Sequence, residues 1–287
     1  MKKILVCLNA SPNAQAILGV AGYFAKLNSD FILEILHVLK PSDNLDMIDY
    51  SSMMSMDTSG RFLDTLVELD AKKAQVAFER GTIILQNAVD YLKNYHQVPE
   101  NQIIRTLKKG YFTDVVHQYE AESILTILGK HGENSFKNGR LIGAHLEKII
   151  RNHTKPVFVA CQNFSPLVKP LIAFDNSEKS HRAIDFIITH FKNNIHHLDI
   201  LSVNPDNTII ASDLQNVQEK LSANGIQSRI IIADGDVIDA IDHKITHEFY
   251  DILFAGAYSH NQLHSFLFGS TTNNILTKTN IPLFLFP

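Results

Sequence analysis

The segment Ile4-Leu5-Val6-Cys7-Leu8-Asn9-Ala10-Ser11, close to the start of the chain, recurs in its second half as Leu171-Ile172-Ala173-Phe174-Asp175-Asn176-Ser177. The same order of segments follows each copy. Leu33–Val38 corresponds to Leu198–Val203, and Pro156-Val157-Phe158-Val159 corresponds to Pro282-Leu283-Phe284-Leu285. A duplication with so long a period indicates two copies of one domain.

The composition indicates an ordinary globular protein with two domains. The chain has 287 residues, of which 45% are hydrophobic and 20% are charged, and its formal net charge is -4. This charge gives no general attraction to nucleic acid or to anionic membranes, so neither is an expected partner. No apolar stretch reaches membrane-spanning length, and two cysteines, Cys7 and Cys161, do not make a disulfide framework. The expected location is the reducing cytoplasm.

Short apolar runs alternate along the chain with longer segments of helical spacing. Ile4–Leu8 and Ile124–Leu128 lack polar alternation, which is typical of strands covered on both faces. Asn13–Leu27 places its apolar residues at helical intervals. The pattern predicts an α/β fold with two five-stranded parallel sheets, each with helices on both faces. The expected strands lie near 3–9, 31–38, 102–107, 124–128, 156–160, 170–175, 197–203, 227–232, 251–255 and 282–286.

The boundary between the two domains is predicted in the segment Cys161–Lys169. Asn163, Ser165 and Pro166 interrupt both the strand and the helix periodicities there. The predicted domains therefore span residues 1–163 and 167–287.

The first half contains an insertion from Lys40 to about Gly60. It holds four of the five methionines of the chain, at positions 47, 53, 54 and 56. Thioethers can bind Cu(I), but no cysteine or histidine lies in the cluster, so a surface loop or lid is the favoured interpretation. One long helix or two should follow over Phe62–Lys93. Apolar residues available to the core there include Val67, Val76, Ile83, Ala88, Val89 and Leu92.

In open parallel sheets, ligands bind at the carboxyl ends of the strands, where the strand order reverses. In the second half, Asp175-Asn176-Ser177 follows the first strand and Ala255-Gly256-Ala257-Tyr258-Ser259 follows the fourth. Gly269-Ser270-Thr271-Thr272-Asn273 then opens a helix, whose N-terminus offers free N–H groups and hydroxyls to a phosphate. Helix capping alone would also explain Ser177, Gly269 and Ser270.

These residues resemble the universal stress proteins, whose nucleotide-binding members carry Gly-x-x-Gly, nine residues, and Gly-Ser or Gly-Thr after the fourth strand. Gly256, Gly269 and Ser270 match this pattern, whereas Ser259 stands at the second glycine. Asp175 matches the acidic residue that ends the first strand, and Val203 matches the adenine-contacting valine. The predicted site consists of Asp175, Val203, Gly256, Ser259, Gly269, Ser270 and Thr271.

The first half departs further from the family pattern. Ten residues instead of nine separate Gly132 from Gly143, Ala144 replaces the hydroxyl residue, and Asn9 replaces the acidic residue. We therefore expect the first half to bind nucleotide poorly or not at all.

The resemblance implies strand order 3-2-1-4-5 in each half, with a flavodoxin-like order as the alternative. It also implies an intramolecular pseudo-dimer packed through the last strands, and possible pairing of two chains. The implied function is binding of ATP or a related adenine nucleotide, with or without Mg²⁺, in a regulatory stress response with at most slow hydrolysis. The alternatives are a nucleotide-free scaffold or regulator, and a binder of a lipid or a nucleotide sugar.

Motifs of other nucleotide enzymes are missing from the sequence. It has no G-x-G-x-x-G after a first strand, no G-x-x-x-x-G-K-[ST] and no G-x-S-x-G. His243 and His247 have the i, i+4 spacing of a metal site, but a solvated helix face is the favoured interpretation.

Overall fold

The structure is a computed structural model. It describes residues 2–9, 13–41, 56–130, 144–161, 168–203, 209–256 and 281–287. Ten strands and seven α-helices lie in these ranges, in the alternating order that the sequence predicts.

The strands of the two halves follow the same order. The strands are β1 Lys2–Leu8, β2 Phe31–Leu39, β3 Ile103–Lys109, β4 Ser123–Gly129, β5 Val157–Ala160, β6 Pro170–Ala173, β7 His197–Val203, β8 Gln227–Ala233, β9 Ile252–Gly256 and β10 Leu283–Phe286. Their order across the sheet is β3-β2-β1-β4-β5-β10-β9-β6-β7-β8. From either edge inward, each half therefore reads third, second, first, fourth, fifth, and all neighbours within a half are parallel.

The helices cover both faces of this sheet. They are α1 Ala14–Leu27, α2 Met56–His96, α3 Phe112–Glu120, α4 Ala144–Asn152, α5 Glu178–Phe191, α6 Ile209–Ala223 and α7 Val237–Glu248. One apolar cluster includes buried residues of α1, α2, α5 and α6, and a second includes buried residues of α3, α4 and α7. The expectation of an α/β fold with two-sided helix cover is confirmed.

The number of sheets differs from the prediction. β5 and β10 pair antiparallel, with Phe158 level with Phe284, and join the two halves into one ten-stranded sheet. The prediction of two sheets packed through their last strands is wrong in the number of sheets, because these strands pair with each other and neither keeps an unpaired apolar edge. Because the pairing is antiparallel, the strands of the two halves run in opposite directions. The carboxyl ends of the first-half strands therefore lie at one end of the combined sheet, and those of the second-half strands lie at the other end.

Aromatic side chains fill the core on one face of this joint. Phe158 packs edge-on against Phe24 of α1 and Phe284 of β10, with ring centroids 5.3 and 5.5 Å apart. Phe24 also stacks on Phe191 of α5 at 5.5 Å, so helices from different halves are in direct contact. All four rings are at most 1% exposed. The joint is therefore part of the hydrophobic core and resembles the interior of a domain.

Helix α2 departs from the sequence interpretation at its start and along one side. It is a single helix of 41 residues that already includes Met56–Gly60, which the sequence assigned to the inserted loop. Residues 42–55, the rest of that loop, lie outside the described residues. Ala88, Val89 and Leu92 are buried as expected, but Val67, Val76 and Ile83 are 68%, 62% and 59% exposed. Helical periodicity identified apolar positions correctly but could not show where the sheet beneath them ends.

The remaining expectations concern cysteines and membranes. Cys7 and Cys161 are free and buried, and burial raises the pKa of both thiols. In the described part of the chain, no helix combines the length and the apolar character that crossing a membrane requires.

A titratable side chain lies where α5 of the second half meets the first half. His190 Nδ1 is 3.4 Å from Lys2 Nζ, and its ring centroid is 6.3 Å from that of Phe31. Burial and the neighbouring Lys2 ammonium lower the pKa of His190 to about 4. The imidazole is therefore neutral at pH 7, and its protonation would place two like charges side by side.

We predict that Phe284→Asp destabilises the whole chain by more than about 3 kcal/mol, because it buries a carboxylate where a ring filled the joint. The matched control is Phe249→Asp, since Phe249 is 83% exposed and has a φ of 58°, which Asp tolerates. Its effect should stay within about 0.5 kcal/mol. Denaturant unfolding measures both. Equal, small effects would mean that the halves do not share this core.

We predict that stability falls as the pH is lowered from about 6.5 to about 4, and that His190→Gln flattens part of that fall. The folded pKa of His190 is about 4, below the ordinary value of 6.5, so the unfolded chain binds the proton more readily between these values. The difference between the two proteins should reach about 1–2 kcal/mol near pH 4 and vanish above pH 7. Parallel pH profiles would contradict this assignment.

Candidate functional site

The carboxyl ends of β6, β7 and β9 meet where the strand order of the second half reverses. β6 lies between β7 and β9, and its last residue, Ala173, is level with Leu201 and Ala255. Asp175 therefore lies beside the end of β7 at Val203 and close to the end of β9 at Gly256. Three of the seven predicted site residues are brought together at this edge.

Asp175 is exposed, and its described hydrogen bond is local. Its Oδ1 accepts the N–H of Ser177 at 3.1 Å, which forms a tight turn before α5. Ser177 is the N-cap of α5, because its Oγ accepts the N–H of Ser180 at 3.2 Å. The capping interpretation of Ser177 is therefore correct. An exposed carboxylate can still accept hydrogen bonds from the hydroxyl or amino groups of a nucleoside.

Asn176, between these two residues, holds the turn in a fixed shape. Its φ is 60°, in the left-handed region that asparagine tolerates better than most residues. Its Nδ2 donates to Asp213 of α6 at 2.5 Å, and its Oδ1 lies 2.7 Å from His181 Nε2. Helices α5 and α6 thus fix the direction in which Asp175 leaves the sheet.

Gly256 has a packing reason for lacking a side chain. A Cβ at this position would lie 3.1 Å from the Cβ of Lys179 and 3.6 Å from the backbone nitrogen of Ser180. The end of β9 and the first turn of α5 therefore approach more closely than a larger residue would comfortably allow. Close approach at Gly256 is to a helix among the described residues, and this contact by itself does not indicate a phosphate.

Lys179 is a residue of this edge that the sequence analysis did not identify. Burial and the neighbouring Arg182 lower its pKa, while Asp175 and Glu178 act in the opposite direction. A cation in the first turn of α5, near Asp175 and Gly256, can attract an anionic ligand. The sequence did contain a signal for this residue. Lys179 lies two residues after the repeated segment, at the position where the first half has Asn13.

Four predicted site residues cannot be placed. Ser259, Gly269, Ser270 and Thr271 lie outside the described residues, as do Gly132 and Gly143 of the first half. The residues predicted to hold phosphate are therefore not described, whereas those predicted to hold the nucleoside are.

At the carboxyl ends of the first-half strands, the backbone has the same geometry as in the second half, but the side chains are different. A Cβ on Gly129 would lie 3.0 Å from Ile17 Cδ1 and 3.6 Å from Asn13 Cβ, so the fourth strand again abuts the first turn of the first helix. Asn13 is 1% exposed, and neither its Oδ1 nor its Nδ2 has a partner in the structure as described. Oδ1 of Asn9 is likewise buried without a described partner. Buried polar atoms are usually satisfied, so the partners of these three atoms are expected outside the described residues.

A buried carboxylate network lies at the amino ends of the second-half strands. Asp199 of β7 is 1% exposed and accepts hydrogen bonds from Arg229 Nη2 and Tyr250 Oη, both at 2.6 Å. Burial acts to raise the pKa of Asp199, but the bonds from Arg229, Tyr250 and His197 outweigh it and hold the pKa below its usual range. The network is away from the carboxyl-end site, and removing one of its partners would destabilise the fold because the Asp199 charge would be left buried and incompletely paired.

A groove between α3 and α4 is a second concave surface, with a volume of about 620 Å³. Glu120 lines it and is buried. Its Oε1 accepts from Thr154 Oγ1 at 3.1 Å, and its Oε2 contacts His153 Nδ1. Glu120 and His153 shortly precede β4 and β5, so this end of the groove lies at the amino ends of those strands. None of the three predicted site residues that the structure describes lines the groove.

The paired histidines of α7 show no sign of metal binding. The rings of His243 and His247 stack with centroids 4.1 Å apart, and His247 Nδ1 lies 2.8 Å from the carbonyl oxygen of His243. Among the residues that the structure describes, no three histidine, cysteine or acidic side chains are grouped as a metal site.

The fold is that of a duplicated α/β protein, in which the carboxyl ends of the strands form an equivalent surface in each half. The universal stress protein family model matches residues 1–160 and 169–287. The chain therefore belongs to the universal stress protein family, with two family domains in tandem, as the sequence patterns predict. Universal stress protein Slr1230 from Synechocystis is 28% identical over 294 residues and is matched along its whole length and that of this chain.

Solved structures share this fold along almost the whole chain. A universal stress protein from Archaeoglobus fulgidus is 20% identical, with a TM-score of 0.67 over 99% of this chain and 95% of its own. A functionally unknown protein from Pseudomonas aeruginosa PAO1, PA1789, is 16% identical, with a TM-score of 0.54 over 99% of this chain and 92% of its own. At these identities the similarity shows a shared fold.

Proposed function

We propose that the second half of this universal stress protein binds ATP or a related adenine nucleotide at the carboxyl ends of β6, β7 and β9. The observation that carries the proposal is the position of Asp175, an exposed carboxylate that the turn through Asn176 holds beside Val203. An apolar side chain next to a hydrogen-bond acceptor suits the base and sugar of a nucleoside.

The described residues fit the two ends of such a ligand to different degrees. Asp175 and Val203 suit the adenosine portion, and Lys179 can attract the phosphates electrostatically. The loop that starts at Gly256 and reaches Gly269, Ser270 and Thr271 would supply N–H groups and hydroxyls to the phosphates, with Ser259 at its turn. Mg²⁺, where present, would bind mainly through the phosphates of the nucleotide, as this ion commonly does.

We infer a regulatory role rather than a catalytic one. The described edge contains an acceptor and a cation, but it lacks a base held by an orienting partner beside a nucleophile. Slow hydrolysis of ATP is compatible with this arrangement. The proposal further includes a cytoplasmic location, no nucleic-acid or membrane partner, and domains spanning residues 1–163 and 167–287.

The pairing of β5 with β10 supports a pseudo-dimer within the chain, in which each half covers the edge of the other. On this proposal the carboxyl ends of the strands in the two halves correspond to the two ligand sites of a dimer. The site in the second half has the residues suited to a nucleotide. Association of two whole chains into a homodimer is a separate proposal.

A second candidate function is ligand binding by the first half. The buried atoms of Asn13 and Asn9, which have no partner among the described residues, favour a small polar ligand there, because an amide presents both a donor and an acceptor. A nucleotide-free scaffold remains the rival from another class, and a lipid or nucleotide sugar the rival ligand.

We predict that isothermal titration calorimetry with ATP gives one site per chain, and that Asp175→Asn weakens binding about 10- to 100-fold. The amide keeps the local turn but removes the charged acceptor, which contributes roughly 1.5–3 kcal/mol. Gly269→Val should abolish binding, because its side chain would occupy the path of the phosphate. The matched control is Asp185→Ala, which removes an exposed carboxylate of α5 that pairs with Lys220, away from this edge.

Three outcomes would contradict the proposal in different ways. Unchanged affinity in both Asp175→Asn and Gly269→Val would exclude the second-half site. Loss of binding in Asn13→Ala, with Asp175→Asn unaffected, would assign the ligand to the first half. An absence of binding by the unmodified protein to ATP, ADP, AMP and cyclic AMP would favour the scaffold.

A further inference from the structure

Asn176 is the centre of a side-chain network that joins the turn after β6 to two helices. Its Nδ2 lies 2.5 Å from Oδ2 of Asp213 in α6, and its Oδ1 lies 2.7 Å from Nε2 of His181 in α5. All three residues are partly buried. Hydrogen bonds that are partly shielded from water are stronger than fully exposed ones. The network therefore ties the turn to α5 and α6 at once.

The chemistry of the three groups fixes the direction of both hydrogen bonds. An ionised carboxylate only accepts, so Asp213 must face the amide nitrogen of Asn176. The amide oxygen then faces His181, whose Nε2 must carry a proton to donate to it. The His181 ring also packs edge-on against Phe174, which is 2% exposed, with ring centroids 5.1 Å apart. The amide is thus held at both ends, by a donor on one helix and an acceptor on the other.

The backbone of Asn176 is in a conformation that benefits from this support. Its φ is 60°, in the left-handed region, which costs free energy for residues other than glycine, although less for asparagine than for most. Across this residue, the N–H of Ser177 donates to Oδ1 of Asp175 at 3.1 Å. Without the network, Asn176 could adopt more favourable backbone conformations in which this hydrogen bond is lost. The network therefore controls the position of the Asp175 carboxylate through the backbone.

The sequence of the first half does not provide the same network. The repeat places Ala10 at the position of Asn176 and Gln15 at the position of His181. Alanine has no side-chain hydrogen-bonding group, so the central member is missing. The network and the carboxylate of Asp175 thus occur together in the second half, and the corresponding positions of the first half lack both. This association favours a role at the ligand site over a role in helix packing alone.

We propose that Asn176, His181 and Asp213 are positioning residues for the nucleotide site of the second half. The inference rests on the proposed function, and adds that residues outside the predicted site, one of them on α6, help to set the affinity. The network holds the turn in its binding shape before the ligand arrives, so binding does not bear the cost of ordering it. Where that shape is populated only part of the time, the apparent dissociation constant rises in proportion.

Isothermal titration calorimetry of the full chain with ATP tests the proposal. Asp213→Ala should raise the dissociation constant about tenfold, because a charge-assisted hydrogen bond is lost. Asp213→Asn should stay within about threefold of the unmodified protein, because its amide oxygen can still accept from Asn176. The matched control is Asp185→Ala, which breaks an ion pair with Lys220 that also joins α5 to α6, but away from the turn. It should leave the dissociation constant unchanged.

Substitutions of the other two members test whether the network acts as a unit. Asn176→Gly keeps the left-handed turn accessible but removes the amide, and it should weaken binding at least as much as Asp213→Ala. Combining the two should cause no further loss, because both remove the same hydrogen bond. His181→Phe keeps an aromatic ring against Phe174 but removes the donor, so it should also weaken binding. Additive losses in the combined variant would contradict a single network.

A second cycle separates positioning from a general loosening of the site. In an Asp175→Ala background, Asp213→Ala should change the affinity by less than about twofold, because no carboxylate remains to be positioned. An equal loss in the presence and in the absence of the Asp175 carboxylate would show that the network acts in some other way, and would overturn the proposal.

Hydrogen exchange of the Ser177 amide in the ligand-free protein tests positioning without a nucleotide. Asp213→Ala should speed this exchange at least about threefold, because opening of the turn exposes the N–H, whereas Asp185→Ala should not. Unchanged exchange, or unchanged ATP affinity, in Asp213→Ala would overturn the inference and leave the proposed nucleotide site standing. Failure of the unmodified protein to bind any adenine nucleotide would instead overturn the proposed function, and the inference with it.

Discussion

The antiparallel pairing of β5 with β10 is the contact on which the rest of the architecture depends. Each of these strands is only four residues long and almost wholly apolar, so alone it would leave an unpaired hydrophobic edge. Pairing satisfies both edges at once and brings Phe158, Phe284, Phe24 and Phe191 into one core. The short segment between residues 161 and 168 keeps the halves close at all times, so this contact is favoured over pairing between chains.

The same contact determines which way the carboxyl ends of the strands face in each half. Because β10 runs antiparallel to β5, the carboxyl ends of the strands of the two halves lie at opposite ends of the sheet. The carboxyl ends of the strands therefore carry different residues in the two halves. These residues are Asp175, Val203 and Lys179 in the second half, and Asn9 and Asn13 in the first. Duplication allows such divergence, since one half can retain a charged acceptor while the other replaces it with amides. Ligand binding at the carboxyl ends of the strands of one half can therefore change without altering the shared core.

The sequence predicted most of the fold because both of its main signals are local. Apolar runs such as Ile4–Leu8 identified the strands within one or two residues, and the repeat identified the duplication. The last strands of the two halves were expected to pack against each other, but the sequence does not show that they pair side by side and so make a single sheet. The exposure of Val76 was missed because helical periodicity is the same for a covered and an uncovered face. Lys179 was missed because the comparison of the two copies stopped at Ser177, two residues before it, and the burial of the Asn13 amide became visible only with its neighbours in place.

Hydrogen exchange of the backbone amides in Val157–Ala160 and Leu283–Phe286 tests the central claim most directly, because a central strand and an edge strand differ in how many amides are paired. The account predicts protection of β5 and β10 close to that of β1 and β6, which are central in the sheet, and well above that of the outer strands β3 and β8. Exchange of β5 and β10 as fast as that of β3 and β8, with β1 and β6 still protected, would show that the halves do not share one sheet.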